Sequence, residues 1–309
     1  MKLSVIVPCY NEQETVKRFY DAIIPVFSSI EDCRYELIFV NDGSRDKTEE
    51  ILSGLADSDK AVKVVNFSRN FGQQSAILCG FRECTGDCAM ELDCDLQDPV
   101  EVIPEMVKKW REGYDVVHGR RTVRRGETLF KKATAAMYYK RLAKISSVDI
   151  PRNTGDFKLL DRKVIDVIIG LPEHNKYLRG LESWVGFRQT FVDYERHERV
   201  AGKTHYTLKK MFNLAKSGVI SNSNHPLTLS LKIGAIGLAL SALCFLTFIV
   251  LAIAGVSLGV AAWLFPTIAF VGSGLLLANA ITNMYIEKIY DEVKNRPEYL
   301  VKNKKNFDE

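Results

Sequence analysis

The sequence predicts an α/β fold in which a mostly parallel sheet forms the first domain and a membrane-associated region follows it. Three observations lead to this prediction. Short apolar runs alternate with segments of helical periodicity through the first half of the chain, polar motifs directly follow four of those runs, and a long stretch of the second half contains no charged residue.

Five apolar runs are predicted strands, and they cover residues 3–8, 35–40, 62–68, 88–93 and 114–119. The segment between the first two carries apolar residues spaced as one helical face, namely Val16, Phe19, Tyr20, Ile23, Ile24 and Phe27. Near-continuous apolar strands separated by helices indicate βαβ units and a sheet that is covered on both faces. Residues 1–200 are therefore predicted to form one sheet-based domain.

The second half contains a window without Asp, Glu, Lys or Arg that extends from 233 to 286. Within it, 233–254 and 263–286 each reach the roughly 20 apolar residues that a bilayer-spanning helix needs. The alternative is a pair of buried helices in a soluble domain, but soluble core helices seldom run this long without a polar face. Because the link between the two stretches is short and uncharged, we expect a two-helix transmembrane hairpin over 231–287.

Cationic residues on both flanks set the expected orientation of this hairpin. They are Lys203, Lys209, Lys210 and Lys216 before it, and Lys288, Lys294, Arg296, Lys302, Lys304 and Lys305 after it. Such an excess favours the cytoplasmic side of the inner membrane. The sheet domain, a juxtamembrane segment over 201–230 and a C-terminal tail over 288–309 are all expected there, with both termini. Nothing at the start of the sequence resembles a signal peptide.

Two basic amphipathic segments are expected to form interfacial helices at the membrane surface. Residues 119–144 carry nine Lys or Arg against one Glu, interleaved with apolar and aromatic side chains, and 206–220 repeats the pattern. Such segments lie in the interface and attract anionic lipid. A net charge of +4 gives no general case for nucleic acid. Continuity with the hairpin also argues against a nucleic-acid surface.

Polar motifs follow the first four predicted strands. They are "CYNEQE" (9–14), "NDGSRDKT" (41–48), "RNFGQQ" (69–74) and "DCDLQD" (93–98). Ligands of open α/β sheets bind at the carboxyl ends of the strands. The convergence of four motifs at that edge predicts a single binding site there.

Four carboxylates crowd the fourth motif and the strand before it, namely Glu91, Asp93, Asp95 and Asp98. Asp98 has a structural explanation, since "DPVE" matches a helix N-cap with Pro99 at the first helical position and Glu101 completing a capping box. Glu91 lies inside the strand and is expected either to face away from the ligand or to pair with a cation. Asp93 and Asp95 are left to bind a ligand.

If the chain stays extended, alternation aims Asp93, Asp95 and Gln97 the same way. Hard oxygen donors at this spacing suit Mg²⁺ or Mn²⁺, which also bind phosphate oxygens. An acidic surface turn is the simpler alternative. A glycosidase-like carboxylate pair is another, but residues on one strand edge cannot easily flank a sugar from opposite sides. We expect a divalent cation here that grips a diphosphate.

The first two motifs are interpreted as a nucleoside pocket. Tyr10 can pack against a base, while Glu12 and Asp42 can accept hydrogen bonds from a base or ribose. A tight turn is sufficient to explain why position 43 is a glycine.

Several motifs together resemble glycosyltransferase family 2 and its GT-A (Rossmann-like) fold, within it the polyprenyl-phosphate glycosyltransferases of the bactoprenol glucosyltransferase and dolichyl-phosphate mannose synthase types. They are "VPCYNE", "VNDGSRDKT", "FSRNFGQQSAILCGF", "DCDLQDPVEVIPEM", "GRRTVRRGE", "TGDFKLLDRKV", "LRGLESWVGFRQ" and "AGKTHYTLKKM", followed by the predicted hairpin. The resemblance implies transfer of one sugar from a nucleotide sugar to a polyprenyl phosphate.

The resemblance also implies roles for particular residues. It places the metal at Asp93, Asp95 and Gln97, with Asp95 counted among the catalytic residues. Arg121 and Arg124 match its pattern for the acceptor phosphate, and Lys131 of the same basic segment is counted with them. The expected nucleotide contacts are Pro8, Tyr10, Glu12, Asp42 and Asp93. The resemblance places a base or a sugar-orienting carboxylate at Asp156. A phosphate monoester has its second pKa near 6, so it is mostly a dianion at neutral pH and needs little help from a base; both roles stay open.

The expected reaction is inverting and metal-dependent, with UDP-glucose as the favoured donor and an undecaprenyl-type phosphate as acceptor. Other donors considered are GDP-mannose, UDP-GlcNAc and an amino-arabinose nucleotide. An alternative of a different class is an inactive nucleotide-sugar-binding scaffold for a glycolipid flippase. The resemblance allows a homo-oligomer, and a glycolipid flippase is a candidate partner. A processive synthase is disfavoured because the chain lacks a Q-x-x-R-W motif.

Overall fold

The computed structural model describes residues 1–122, 154–173, 176, 178–195 and 259–307, with isolated positions between 237 and 254. These residues divide into two compact units. One holds the sheet, and it includes residues 297–307 from the end of the chain. The other holds the long helix that precedes them.

The first unit is an α/β domain. Its elements are β1 (Lys2–Cys9), α1 (Val16–Ser28), β2 (Arg34–Asn41), α2 (Thr48–Ser58), β3 (Val62–Phe67), α3 (Gln73–Glu83), β4 (Cys88–Glu91), a 3₁₀ turn (Val100–Val102), α4 (Ile103–Arg111), β5 (Val116–Arg121), β6 (Thr154–Asp161), α5 (Arg162–Gly170), α6 (Leu178–Trp184), β7 (Gln189–Tyr194) and β8 (Val301–Lys305). All five predicted strands and the predicted helix between the first two are confirmed.

The eight strands form one sheet in the order β7-β5-β6-β4-β1-β2-β3-β8. Strands β4, β1, β2 and β3 are mutually parallel, as the alternation of strands and helices predicted. Strand β6 runs antiparallel to both of its neighbours, β4 and β5. The amino-terminal end of β6 therefore lies at the edge where β4 has its carboxyl end.

Both faces of the sheet are covered because its central strands are apolar on both sides. In β2, Leu37 and Phe39 join one buried cluster, whereas Ile38 and Val40 join the other. This alternation follows from the two-residue period of a strand. Helix α1 packs against the first face and α3 against the second.

The C-terminal segment is part of the sheet, which corrects the domain boundaries drawn from the sequence. The predicted tail over 288–309 contains β8, which pairs antiparallel with β3. Tyr299 stacks on Phe67 with ring centroids 4.9 Å apart. Asn306 Nδ2 donates to the carbonyl oxygens of Ala56 and Val62 at 2.6 and 2.8 Å. The sheet domain therefore takes residues from both ends of the chain rather than ending near residue 200.

The second unit contains helix α7 (Val260–Lys294), which is 35 residues long and includes the second predicted span, 263–286. Across the part of the chain that the structure describes, no helix combines the length and hydropathy that a membrane span requires. The first predicted span, 233–254, is described only at isolated positions, and the juxtamembrane segment 201–230 lies outside the described residues. The hairpin stays a prediction.

Helix α3 approaches β1 closely at a glycine. A Cβ added to Gly80 would lie 2.2 Å from Ile6 Cγ2. We predict that Gly80→Ala lowers the free energy of unfolding by about 1–3 kcal/mol, because overpacking forces shifts in the sheet. Chemical denaturation of the purified chain measures this.

Gly54, inside α2, is the matched control, because a Cβ there would have nothing within 4 Å. Gly54→Ala should raise the free energy of unfolding by about 0.5–1 kcal/mol through helix propensity. Equal effects of the two substitutions would contradict the close packing of α3 on β1.

Candidate active site at the carboxyl edge of the sheet

The predicted motifs meet at one edge of the sheet, as the parallel strands require. Tyr10 follows β1, Asp42 follows β2, Gln73 begins α3 after β3, and Asp93 follows β4. Gln73 Nε2 donates to Asp93 Oδ1 at 2.9 Å, which joins the third motif to the fourth.

The acidic motif turns sharply after β4, so the extended alternation that would align Asp93, Asp95 and Gln97 does not hold. Leu96 has a left-handed backbone with φ of 55°. The backbone N–H of Gln97 donates to Asp95 Oδ1 at 3.1 Å, which closes the turn. A left-handed conformation is uncommon for a bulky residue, and such outliers cluster at functional sites. The turn, rather than strand alternation, places Asp95 and Gln97.

The donor chemistry of the motif fits a hard divalent cation. Asp93 and Asp95 offer carboxylate oxygens within three residues of each other, and Asp95 is buried. Among the described residues, no group of three or more His, Cys, Asp or Glu is arranged to hold a metal ion. A cation held by Asp93, Asp95 and Gln97 would also bind water or ligand oxygens, as Mg²⁺ commonly does.

Asp42 holds the loop that leads into α3. Its Oδ1 accepts from the backbone N–H of Phe71 at 2.6 Å, and its Oδ2 accepts from Asn70 Nδ2 at 2.8 Å and Gly72 N at 2.9 Å. The side chain is buried. Asp42 thus shapes the site through this loop. Its contact with a nucleoside stays a prediction.

Gly43, next to Asp42, is required by geometry. Its φ is +65°, and a Cβ would lie 2.4 Å from the backbone carbonyl carbon of Arg69. The tight turn predicted from the sequence is therefore present, and the backbone after β3 crosses directly over it.

The other predicted nucleoside residues lie in β1 or the turn after it. Pro8, Tyr10 and Glu12 are half-buried. Asn11, between the last two, has a left-handed backbone with φ of 56°, a conformation that Asn adopts more readily than most residues. Thr15 Oγ1 donates to Glu12 Oε2 at 2.6 Å.

The antiparallel pairing of β4 with β6 brings Asp156 to the acidic motif. Glu91 on β4 lies opposite Lys158 on β6. Continuing this register by two residues puts Asp93 and Asp156 at the same end of the strand pair, on one face. Arg179 on α6 binds Asp156 with two hydrogen bonds, Nε to Oδ1 at 2.5 Å and Nη2 to Oδ2 at 2.6 Å.

Beneath this pair lies a second set of charges that is almost completely buried. Lys158 Nζ donates to Glu182 Oε2 at 2.6 Å and lies 3.9 Å from Glu91 Oε2. Arg179 and Glu182 are three residues apart on α6 and so share a face. Of the two alternatives expected for Glu91, the structure places it facing a cation, although neither of its oxygens accepts a hydrogen bond. We call Glu91, Lys158 and Glu182 the buried charge cluster.

The cluster contains two carboxylates and one cation, so one proton is needed for neutrality. Burial raises the pKa of Glu91 well above its usual value. Burial also raises the pKa of Glu182, and the net direction is upward although the adjacent Lys158 ammonium opposes that effect. Burial lowers the pKa of Lys158, yet the facing carboxylates outweigh it and the net direction is upward. We assign the proton to Glu91 and the ion pair to Lys158 and Glu182.

Asp98 does not cap a helix, so the predicted capping box is wrong. Pro99 has extended backbone angles, the 3₁₀ turn after it has no side-chain cap, and α4 begins only at Ile103. Asp98 Oδ1 instead accepts from Tyr194 OH at 2.5 Å and Arg121 Nη2 at 3.3 Å. Tertiary partners for a buried carboxylate override the local pattern.

Arg121, a predicted acceptor-phosphate ligand, lies beside Asp156 but already has a protein partner. Its side chain is 19% exposed and forms an ion pair with Asp98. A Cβ on Gly155 would lie 2.6 Å from Arg121 Nη2, so glycine makes room for the guanidinium. Arg124 and Lys131, the other two predicted ligands, lie outside the described residues.

Sequence reasoning missed five residues that build this site: Gln73, Lys158, Arg179, Glu182 and Tyr194. A signal existed for Lys158, because a lysine inside an apolar strand such as "DFKLL" is seldom buried without a partner. Arg179 and Glu182 have helical spacing in "LRGLESW". Nothing local indicated that they would meet β6.

We predict that Glu91→Gln and Glu182→Gln differ strongly in stability. Glu91→Gln should not lower the free energy of unfolding, since it replaces a neutral acid, breaks no hydrogen bond described here and removes the need to take up a proton on folding. Glu182→Gln breaks the buried ion pair and should cost about 3 kcal/mol. Chemical denaturation at neutral pH measures both.

The pH dependence provides the check. A carboxyl group whose pKa is raised by folding contributes stability that is complete below its unfolded-state pKa and is lost as pH rises through the folded-state pKa. Because glutamine does not titrate, the stability of Glu91→Gln relative to the parent should rise with pH. A difference that does not change with pH, or a large loss for Glu91→Gln, would contradict the proton assignment.

Comparison with known proteins gives one family. The family model described as Glycosyl transferase family 2 matches residues 4–169. An uncharacterized glycosyltransferase of Bacillus subtilis, YkcC, is 45% identical over 97% of this chain and 93% of its own. The bactoprenol glucosyl transferase of Shigella phage SfX is 39% identical over 99% of this chain and 100% of its own. A prophage bactoprenol glucosyl transferase homolog of Escherichia coli K12 is 37% identical over 98% and 99%, respectively.

Among solved structures, a glucosyl-3-phosphoglycerate synthase from Mycobacterium tuberculosis in complex with Mn²⁺, UDP-glucose and phosphoglyceric acid is similar, with a TM-score of 0.48 and 21% identity. The match covers 71% of this chain and 77% of that chain. A likeness this distant carries no argument about ligands.

Proposed function

Since the chain belongs to glycosyltransferase family 2, we propose that it transfers glucose from UDP-glucose to a polyprenyl phosphate, with inversion at the anomeric carbon. The observation that carries the proposal is the meeting of the Asp93–Asp95 motif with the Asp156–Arg179 pair at one end of β4 and β6. Relatives that match nearly the whole chain are named bactoprenol glucosyl transferases, which supports glucose as the sugar and a bactoprenol lipid as the acceptor.

The donor is proposed to bind along the carboxyl edge of β1, β2 and β4. Tyr10, Glu12 and Asp42, which follow β1 and β2 at this edge, would contact the nucleoside together with Pro8 of β1. Asp93 and Asp95, with Gln97, would hold Mg²⁺ or Mn²⁺. When bound, such a cation supplies charge that stabilises a departing diphosphate.

Asp156 is proposed to orient rather than to act as a base. Burial would raise the pKa of its carboxyl group, but the Arg179 guanidinium outweighs burial and holds that pKa below its usual value. A carboxylate with a lowered pKa is a poor base at neutral pH. The acceptor phosphate is already a dianion, so its oxygen can attack the anomeric carbon while the bond to the diphosphate breaks, without a proton transfer.

The role of Asp156 is then to hold Arg179 in place. The two parallel hydrogen bonds fix the plane of the guanidinium and hold its positive charge at this end of β4 and β6, where it can face a sugar or a phosphate. Arg121 lies at the same place and adds positive charge. Positioning and charge stabilisation would supply most of the catalysis.

The acceptor is proposed to be presented at the cytoplasmic face of the inner membrane. The charge-free window over 233–286, its cationic flanks and the basic segment over 119–144 support this placement. Arg124 and Lys131 of that segment remain candidate ligands for the lipid phosphate, together with Arg121.

The test is a donor screen. Membranes that contain the full-length protein, Mg²⁺ and undecaprenyl phosphate are incubated with radiolabelled UDP-glucose, UDP-GlcNAc or GDP-mannose, and lipid-extractable label is counted. We expect label from UDP-glucose and its loss in Asp95→Ala with folding retained. If only another donor gives labelled lipid, the transfer reaction stands but the proposed sugar, glucose, is wrong. Absence of label from every donor would refute the transfer reaction.

The orienting role of Asp156 makes a separate prediction. Asp156→Asn should lower kcat by roughly 10²-fold or more, a typical cost of losing one preorganised electrostatic contact. Arg179→Lys should also lower kcat, because lysine cannot form the paired hydrogen bonds. Steady-state kinetics measure both losses.

The pH profile separates orientation from base catalysis. Because the pKa of Asp156 is lowered, the residue is ionised throughout neutral pH and should contribute no titration to kcat between about pH 6 and 8. Asp156→Asn should therefore lower kcat equally across that range. If kcat of the parent falls with decreasing pH near neutrality and Asp156→Asn does not show this fall, Asp156 acts as a base instead.

A further inference from the structure

Three asparagines form a row across the sheet, at the edge where the donor is proposed to bind. Asn303 on β8 lies opposite Asn66 on β3, and Asn66 lies beside Asn41 on β2. Because they are register partners on adjacent strands, their side chains can meet on one face.

The three side-chain amides are linked in one direction. Asn66 Nδ2 donates to Asn303 Oδ1 at 2.7 Å, and Asn41 Nδ2 donates to Asn66 Oδ1 at 2.8 Å. Asn41 and Asn66 are buried, whereas Asn303 is exposed at the outer strand. The buried amides thus depend on an acceptor that the C-terminal strand supplies.

The inner end of the row holds the turns around the nucleoside pocket. Asn41 Oδ1 accepts from the backbone N–H of Ser44 at 3.1 Å. Ser44 Oγ accepts from the backbone N–H of Asn11 at 2.9 Å, and Asn11 Oδ1 accepts from Arg45 N at 2.8 Å. Asn11 lies between Tyr10 and Glu12, so the row ends at the proposed base and ribose contacts.

We propose that β8 is a positioning element of the donor site and that Asn303 is its positioning residue, an inference that rests on the proposed function. An amide has a donor end and an acceptor end. The side-chain oxygen of Asn303 accepts from Asn66 and so fixes which way the Asn66 amide is turned. The Asn66 oxygen fixes the Asn41 amide in the same way, so that the Asn41 oxygen faces the backbone N–H of Ser44. Linked hydrogen bonds of this kind reinforce one another.

The test is a kinetic comparison with the full-length protein in membranes. Asn303→Ala should raise the KM for UDP-glucose about threefold to tenfold, the effect of one hydrogen bond. The kcat and the KM for undecaprenyl phosphate should stay unchanged. Asn303→Val removes the same acceptor while keeping strand propensity, and it should raise that KM equally. Asn303→Asp keeps an acceptor oxygen and should restore a KM within about twofold of the parent.

Asn306→Ala is the matched control, because Asn306 anchors the same segment through Ala56 and Val62 and has no described contact with the pocket turns. It should lower the melting temperature without changing the KM for UDP-glucose. A parent protein that turns over no nucleotide sugar would overturn the proposed function and this inference together. Parent turnover with an unchanged KM in Asn303→Ala and Asn303→Val would overturn this inference alone.

Discussion

The antiparallel pairing of β4 with β6, fixed by Lys158 between two buried carboxylates, is the constraint on which the site depends. Had β6 been parallel to β4, its first residues would lie at the opposite edge of the sheet. A shift of one residue would move Lys158 to the other face and away from Glu91 and Glu182. Buried ion pairs contribute little net stability, so we attribute to this one a role in specifying register. That register brings Asp156 to Asp93.

The charges of the site are arranged in two levels with separate roles. The lower level, the buried charge cluster, is balanced internally when Glu91 holds a proton, and it packs α6 against β6. The upper level contains Asp156 and Arg179, which the lower level holds in place from the same strand and the same helix. Asp156, the carboxylate of the upper level, has a lowered pKa and is therefore a poor base near neutral pH. The arrangement suits a reaction in which a phosphate that is already charged attacks and the protein stabilises the diphosphate that leaves.

Much of the fold followed from the sequence, because apolar runs and helical periodicity are local signals. They predicted β1–β5 and α1, and the family match agrees with the predicted GT-A, Rossmann-like fold. The convergence of the first four motifs also followed, since parallel strands end at a common edge. What local patterns could not supply was pairing over long distances. Strand β8 has the sequence "VKNKK", which lacks the apolar face by which a strand is usually predicted. Asp98 matched a capping pattern, yet its partners are far along the chain.

The most direct measurement is a structure of the full-length protein with UDP and Mn²⁺, in which anomalous scattering locates the metal. We predict one Mn²⁺ within coordination distance of the diphosphate and of a carboxylate oxygen of Asp93 or Asp95, with the Asp156–Arg179 pair on the same side of the sheet edge. A Mn²⁺ bound away from the end of β4 would contradict this prediction. A diphosphate bound next to Asp93, with the Asp156 side chain pointing away from it, would also contradict it.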